Sequence, residues 1–228
     1  VTSVGDGIER EVKLEVDDAF ELPPLVIDGG AVIIEILESL VLDATYHDAA
    51  DLRLLGVGIT VRRRTGEGTR WTVKFPTAEL AAPGGVARRE IDVMVDSVPP
   101  PEAVIDLVAS HLDGARLEPV VRLVSQRARR TLSASDGRAV GEIDDDRVTV
   151  FDPVGAVGRG DAVESGGAGM AFREVELEFG PDTDPGLVQS VVAQLIDAGA
   201  IPARSGSKLA HGLALLGRVP DRSGTTGG

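Results

Sequence analysis

Three stretches of this chain carry acidic side chains at every second position. They are Glu9-x-Glu11-x-Lys13, Glu142-x-Asp144 and Glu174-x-Glu176-x-Glu178. Other stretches do the same with cations, namely Arg62-x-Arg64, Arg70-x-Thr72-x-Lys74 and Arg127-x-Arg129, and Lys208 stands alone among small and apolar neighbours. A β-strand points successive side chains to opposite faces, so each set shares one face. A face that merely met solvent would gain nothing from sorting charges by strand, because cross-strand pairs prefer opposite signs. Carboxylate oxygens suit Mg²⁺ or Mn²⁺, which take few protein oxygens and complete their shell from water and phosphate. Arginine and lysine suit the phosphate oxygens such an ion leaves uncovered. The two sets together point to a metal-bound polyphosphate.

The elements that must position them are mostly strands. Ile8–Val16 alternates its charges with Ile8, Val12, Leu14 and Val16, and Glu15 joins the acidic face. Further strands are predicted at 32–37, 41–46, 58–64, 70–75, 86–95, 118–131, 138–144, 148–151 and 172–179, with hairpin signals such as Gly66-Glu67-Gly68 between them. In 118–131 the apolar Val121, Leu123 and Val124 do not alternate cleanly, and Arg127 and Arg129 are taken as the pair sharing a face. Asp145-Asp146-Arg147 reads as a turn. Arg88 and Glu90 either line the rim of the site or pair with each other. Helices are predicted from about Glu102 to Leu112, stopped by Gly114, and from Asp184-Pro185 to Gly199, with a helical turn over 48–55. Gly155–Gly169 reads as a mobile loop, and no GxxxxGK[ST] or GxGxxG phosphate cradle occurs. A closed antiparallel barrel would turn the charged faces inward and the apolar faces outward against the helices; its lumen must then hold water, counter-charges or ligand.

Composition narrows the partners. The 228 residues fit one domain, and aromatics at 3% leave aliphatic side chains to fill the core. A formal net charge of -14 repels nucleic acid and anionic membrane surfaces, so neither is expected as a partner. Without cysteine there is no disulfide or thiolate, and no apolar run approaches the ~20 residues of a membrane helix; a cytoplasmic protein, monomer or homodimer, is expected. His47, His111 and His211 are too scattered for a metal site or triad, and Trp71, opposite Lys74, belongs to the core.

Glu9-x-Glu11-x-Lys13, Arg62-x-Arg64, Lys74, Glu174-x-Glu176 and Ser207-Lys208 together resemble the CYTH superfamily, the triphosphate tunnel metalloenzymes. The run from Asp43 to Asp48, then 52–55 and 58–64, resembles bacterial members often fused to a CHAD domain, and no CHAD domain is expected after Gly228. The resemblance runs from about Ile8 to Gly217, giving a domain over 1–217 and a disordered tail over 218–228. It implies an α+β fold with an eight-stranded antiparallel β-barrel, a triphosphate tunnel, and helices packed outside. It also implies metal-dependent hydrolysis of a triphosphate, inorganic tripolyphosphate first. The alternatives are a class IV-type adenylate cyclase and a non-catalytic polyphosphate- or nucleotide-binding module. Carried onto this chain, the catalytic residues are Glu9, Glu11 and Lys13. The Mg²⁺ or Mn²⁺ ligands are Glu9, Glu11, Glu142, Asp144, Glu174 and Glu176, and the phosphate ligands are Lys13, Arg62, Arg64, Lys74, Arg127, Arg129 and Lys208. Ala49 departs from the threonine common in relatives, and the Gly155–Gly169 loop is longer than usual.

Overall fold

The structure, a computed structural model, describes residues 3–27, 30–37, 39–79, 84–153 and 169–218. Period-two alternation yields strands β1 (Ser3–Glu15), β2 (Val26–Ile27), β3 (Gly30–Ala31), β4 (Ile33–Ile36), β5 (Leu40–Asp48), β6 (Thr60–Thr65), β7 (Arg70–Pro76), β8 (Val86–Met94), β9 (Glu118–Ser133), β10 (Ala139–Phe151), β11 (Met170–Glu178) and β12 (Ile201–Pro202). Helices are α1 (Arg53–Gly56), α2 (Glu102–Leu112), α3 (Pro185–Asp197) and α4 (Lys208–Leu215). Hydrogen-bonded neighbours run β10-β11-β1-β8-β7-β6-β5-β9, and β9 pairs back onto β10, so eight strands close a ring. Every pairing in it is antiparallel. This is the predicted barrel. Outside the ring, β4 adds to β9 and β12 to β1.

Two apolar cores lie on the outside of the barrel. Val12, Leu14, Ile143, Val175 and Leu177 pack against Leu187, Val188, Val191 and Leu195 of α3. Val61, Trp71, Val73 and Val93 pack against Val104, Val108 and Leu112 of α2. The i, i+4, i+8 spacing of those α2 residues puts them on one stripe, each worth about 1.5–3 kcal/mol when fully buried. The helix stops where Asp113 and Gly114 turn to φ 49 and 79. Asp184 caps α3 by accepting the Gly186 N–H at 2.6 Å, ahead of Pro185 at the first helical position.

A third apolar cluster was not foreseen. Leu209 and Leu213 of α4 pack among Ala44, Tyr46, Val121, Leu123, Val148 and Val150. By strand parity Val121 and Leu123 share a face with Arg127 and Arg129, and Val148 and Val150 share one with Asp144 and Asp146. One end of the lumen is therefore apolar and stoppered by α4, and only the other end is charged. That change along one face is why the alternation in β9 reads poorly. Gly212 lets the helix come close, since a Cβ there would sit 2.9 Å from Leu123 Cδ2.

The structure starts β1 earlier, at Ser3, starts α1 later, at Arg53, and corrects the reading of residues 145–147. Asp145-Asp146-Arg147 is no turn, because β10 runs unbroken from Ala139 to Phe151 with β9 and β11 paired to it across those residues. Two complete ladders outweigh the local turn preference of consecutive acids. Asp145 faces outward to Arg173 at 2.8 Å, and Asp146 faces the lumen. The Gly155–Gly169 loop, Gly169 apart, lies outside the described residues, as do 219–228 of the expected tail. Arg218 donates to the Val120 carbonyl at 2.6 Å.

Asp48 explains the Tyr46-His47-Asp48 stretch. Its wholly buried carboxylate accepts the N–H groups of Ala49, Leu54 and Leu55 at 2.7, 3.0 and 2.9 Å, fixing α1 against the barrel. His47 packs beside Trp71, and burial lowers it to about 4. Asp48→Ala would leave three N–H groups without this acceptor and is expected to cost about 3 kcal/mol in urea unfolding. A shift within 0.5 kcal/mol would contradict this role.

Candidate functional site

Strand order turns the sorted charges into two walls. β10, β11 and β1 are neighbours, so Glu142, Asp144, Asp146, Glu174, Glu176, Glu178, Glu9 and Glu11 form one continuous acidic wall. The remaining arc carries Arg88 on β8, Arg70 and Lys74 on β7, Arg62 and Arg64 on β6, and Arg127 and Arg129 on β9. Side chains from both walls line one cavity of about 360 Å³, with Tyr46 from β5 and Ser207 and Lys208 at the start of α4.

Among the described residues, three sets of carboxylates bring oxygens within 4.8 Å of one another: Glu9, Glu11 and Glu178; Glu142, Asp144 and Glu178; Asp146, Glu174 and Glu176. All are hard oxygen donors of the kind Mg²⁺ or Mn²⁺ prefers. Glu178 belongs to two sets and makes no salt bridge among the described residues. Its burial, then the charges of Glu9, Asp144 and Glu11, push it up to about 7. Burial likewise raises Glu142 and Asp144, against the pull of Arg129 and Arg127. Carboxylates crowded around one that has no ion pair are what a divalent ion neutralises, so the first two sets, which share Glu178, fit one.

The third set is different, because Lys208 Nζ lies 2.9 Å from Asp146, 2.6 Å from Glu174 and 2.7 Å from Glu176. Burial opposes ionisation of Asp146, but Lys208 and Arg127 outweigh it and hold the carboxyl well below the usual range. Lys208 itself is raised, burial being outweighed by Asp146 and Glu174.

Other ion pairs fix the remaining side chains. Lys13 joins the sets, lying 2.9 Å from Glu11 and also pairing with Glu176. Burial lowers Lys13 although Glu11 opposes it. Glu11 is 1% exposed, and Lys13, Lys74 and Arg88 overcome its burial and keep it well below the usual carboxylate range. Lys74 pairs with Glu9 and, at 2.8 Å, with Glu90; Arg88 pairs with Glu11. Arg127 reaches Asp146 at 2.7 Å, Glu176 at 3.2 Å and also Asp144. Arg129 reaches Glu142 at 2.8 Å and Glu67 at 2.9 Å. Arg62 instead meets the Tyr46 hydroxyl, and its Nε has no hydrogen-bond partner. Burial would raise the Tyr46 phenol, but Arg62, Lys208 and Lys74 together lower it.

The predicted residues therefore meet around one cavity or in the wall behind it. Further functional candidates escaped the sequence assignment, Arg70 of the cationic wall among them. Glu178 and Asp146 continue the acidic alternations by one more step, and that periodicity was the available signal. Arg88 and Glu90, left open between rim and mutual pair, both line the cavity, each paired instead with a residue of a neighbouring strand. Glu67 of the β6–β7 turn pairs with Arg129, and Tyr46 reaches the lumen; neither carries a local sequence signal for this.

Solved structures share the fold. A candidate adenylate cyclase of Bacillus halodurans superposes with a TM-score of 0.56 at 15% identity, covering 91% of this chain and 98% of that one. The Hippeastrum candidate adenylyl cyclase HpAC1, described as having a dominant triphosphatase activity, gives 0.52 at 16% identity, covering 92% and 97%. Among curated proteins, the uncharacterized protein Rv2226 of Mycobacterium tuberculosis H37Rv and its CDC 1551 counterpart MT2285 are 31% identical over 227 residues. That match covers 94% of this chain and 42% of each relative, so the chain spans less than half their length. The family model described as the CYTH domain matches residues 7–199, and with this barrel around its charged lumen the chain belongs to the CYTH family.

Proposed function

We propose that this protein hydrolyses a triphosphate with the help of Mg²⁺ or Mn²⁺, inorganic tripolyphosphate being the first substrate to test. The observation that carries the reading is the pair of opposed walls, carboxylates on β10, β11 and β1 and cations on β6, β7 and β9, lining one cavity. The resemblance to triphosphate tunnel metalloenzymes and the triphosphatase activity attributed to the Hippeastrum neighbour agree with it. Glu9, Glu11 and Glu178, with Glu142 and Asp144, would hold the metal. When bound, a divalent ion supplies positive charge to an in-line displacement at phosphorus. Arg62, Arg64, Lys74 and Arg129 would bind and orient the phosphate oxygens as charge-assisted donors. Lys13 would hold Glu11 in place, and the α4 stopper keeps water from entering at that end.

Incubating the chain with tripolyphosphate, ATP or thiamine triphosphate, each with Mg²⁺ and with Mn²⁺, is expected to release phosphate. Pyrophosphate together with cyclic AMP from ATP would instead indicate a cyclase. Binding without turnover of any of the three would leave a binding module and sink the hydrolase reading.

A further inference from the structure

We propose that Lys208 is a built-in counter-cation: it fills the Asp146–Glu174–Glu176 cluster, keeps a divalent ion out of it, and so confines metal to the carboxylates around Glu178. The inference rests on the metal-dependent reading above. It changes the part expected of Glu174 and Glu176, from metal ligands to partners of a lysine, and that of Lys208, from phosphate ligand to positioning residue.

Geometry carries it. Lys208 Nζ lies at ion-pair distance from a carboxylate oxygen of each of Asp146, Glu174 and Glu176, at 2.9, 2.6 and 2.7 Å. These same three side chains bring oxygens together at metal-ligand spacing, and all three are buried. Arg127 reaches Asp146 and Glu176, and Lys13 pairs with Glu176, but these two are shared with Asp144 and Glu11, so Lys208 is the cation that touches all three carboxylates. A divalent ion entering the cluster would meet an ammonium already in its place and be repelled by it. Around Glu178 no lysine takes that place: Glu9, Glu11, Glu142 and Asp144 each have a cation, but Glu178 itself makes no salt bridge among the described residues.

Lys208 is also delivered rigidly. It is the first residue of α4, whose cap is the Ser207 hydroxyl accepting the Ala210 N–H at 3.1 Å, and Leu209 and Leu213 behind it are fully buried. The helix that stoppers the lumen therefore also places one cation at a set depth in it.

The experiment is Mn²⁺ titration of the 228-residue chain, with free Mn²⁺ followed by electron paramagnetic resonance and unfolding followed with and without the ion. Lys208→Met should bind about one more Mn²⁺ per chain than the unsubstituted protein, and its melting temperature should rise more on adding Mn²⁺. Glu174→Gln should leave the number of bound ions unchanged, whereas Glu178→Gln should reduce it. An unchanged number in folded Lys208→Met, or a lost ion in Glu174→Gln, would overturn the inference. Should Lys208→Met fail to fold, Glu174→Gln decides. An unsubstituted chain that binds no Mn²⁺ would overturn the metal-dependent reading instead, and the role of Lys208 would then stand or fall on the gain in Lys208→Met.

Discussion

Glu11→Gln is expected to lower metal-dependent phosphate release by about 10²–10³-fold, the scale on which removal of one well-placed electrostatic group acts. The side chain is almost wholly buried and paired with Lys13 and Arg88, and it shares a carboxylate cluster with Glu9 and Glu178. Gln keeps the shape and one acceptor oxygen but removes the charge that a divalent ion needs. A structural effect must be separated from a chemical one, because the substitution leaves Arg88 without its carboxylate. The distinguishing measurement is activity against Mn²⁺ concentration, made beside thermal unfolding. Lost metal affinity in a folded protein supports the role. A rate within a few-fold of the unsubstituted chain at every metal concentration would remove Glu11 from the site.

Stability of the metal-free chain should depend on pH through Glu178. Its carboxyl sits at about 7, against 4.5 for an ordinary glutamate, because burial and then Glu9, Asp144 and Glu11 disfavour its charge. A folded value above the unfolded one means that the folded state holds the proton more tightly. The contribution is therefore fully present below about 4.5 and is lost as pH rises through about 7, up to about 3 kcal/mol for this group. Glu11 and Glu90, whose values are lowered by lysine and arginine neighbours in spite of burial, act with the opposite sign, and their loss begins below the ordinary glutamate value. Between about 4.5 and 7 the Glu178 trend stands apart from theirs. Urea unfolding across that window should show stability falling with rising pH, Glu178→Gln should flatten the fall, and Mg²⁺ should stabilise more at pH 8 than at pH 5. An identical slope in Glu178→Gln would refute the assignment.

These expectations draw unequally on sequence and structure. The faces of β1, β6, β7 and β11 were legible because strand parity is local: Glu9 and Glu11 share a side whatever the rest of the chain does. Helices α2 and α3 were legible for the same reason, from apolar spacing and from Asp184-Pro185. Asp146 was not, because three polar residues in a row imitate a turn and only the ladders on both sides of β10 forbid one. Short α4 was not either. Leu209 and Leu213 form too brief a pattern to announce a helix, and their burial depends on Val121, Leu123, Val148 and Val150 arriving from distant strands.

By itself, the sequence determined which side chains share a face, which charges each of those faces carries, and the family resemblance. The tertiary structure decided that the acidic strands are neighbours, that Glu178 serves two clusters, and that Lys208 fills the third. The physical reason is range: parity is set within a few residues by backbone geometry, whereas ring closure and the ion pairs across it join residues far apart in the chain.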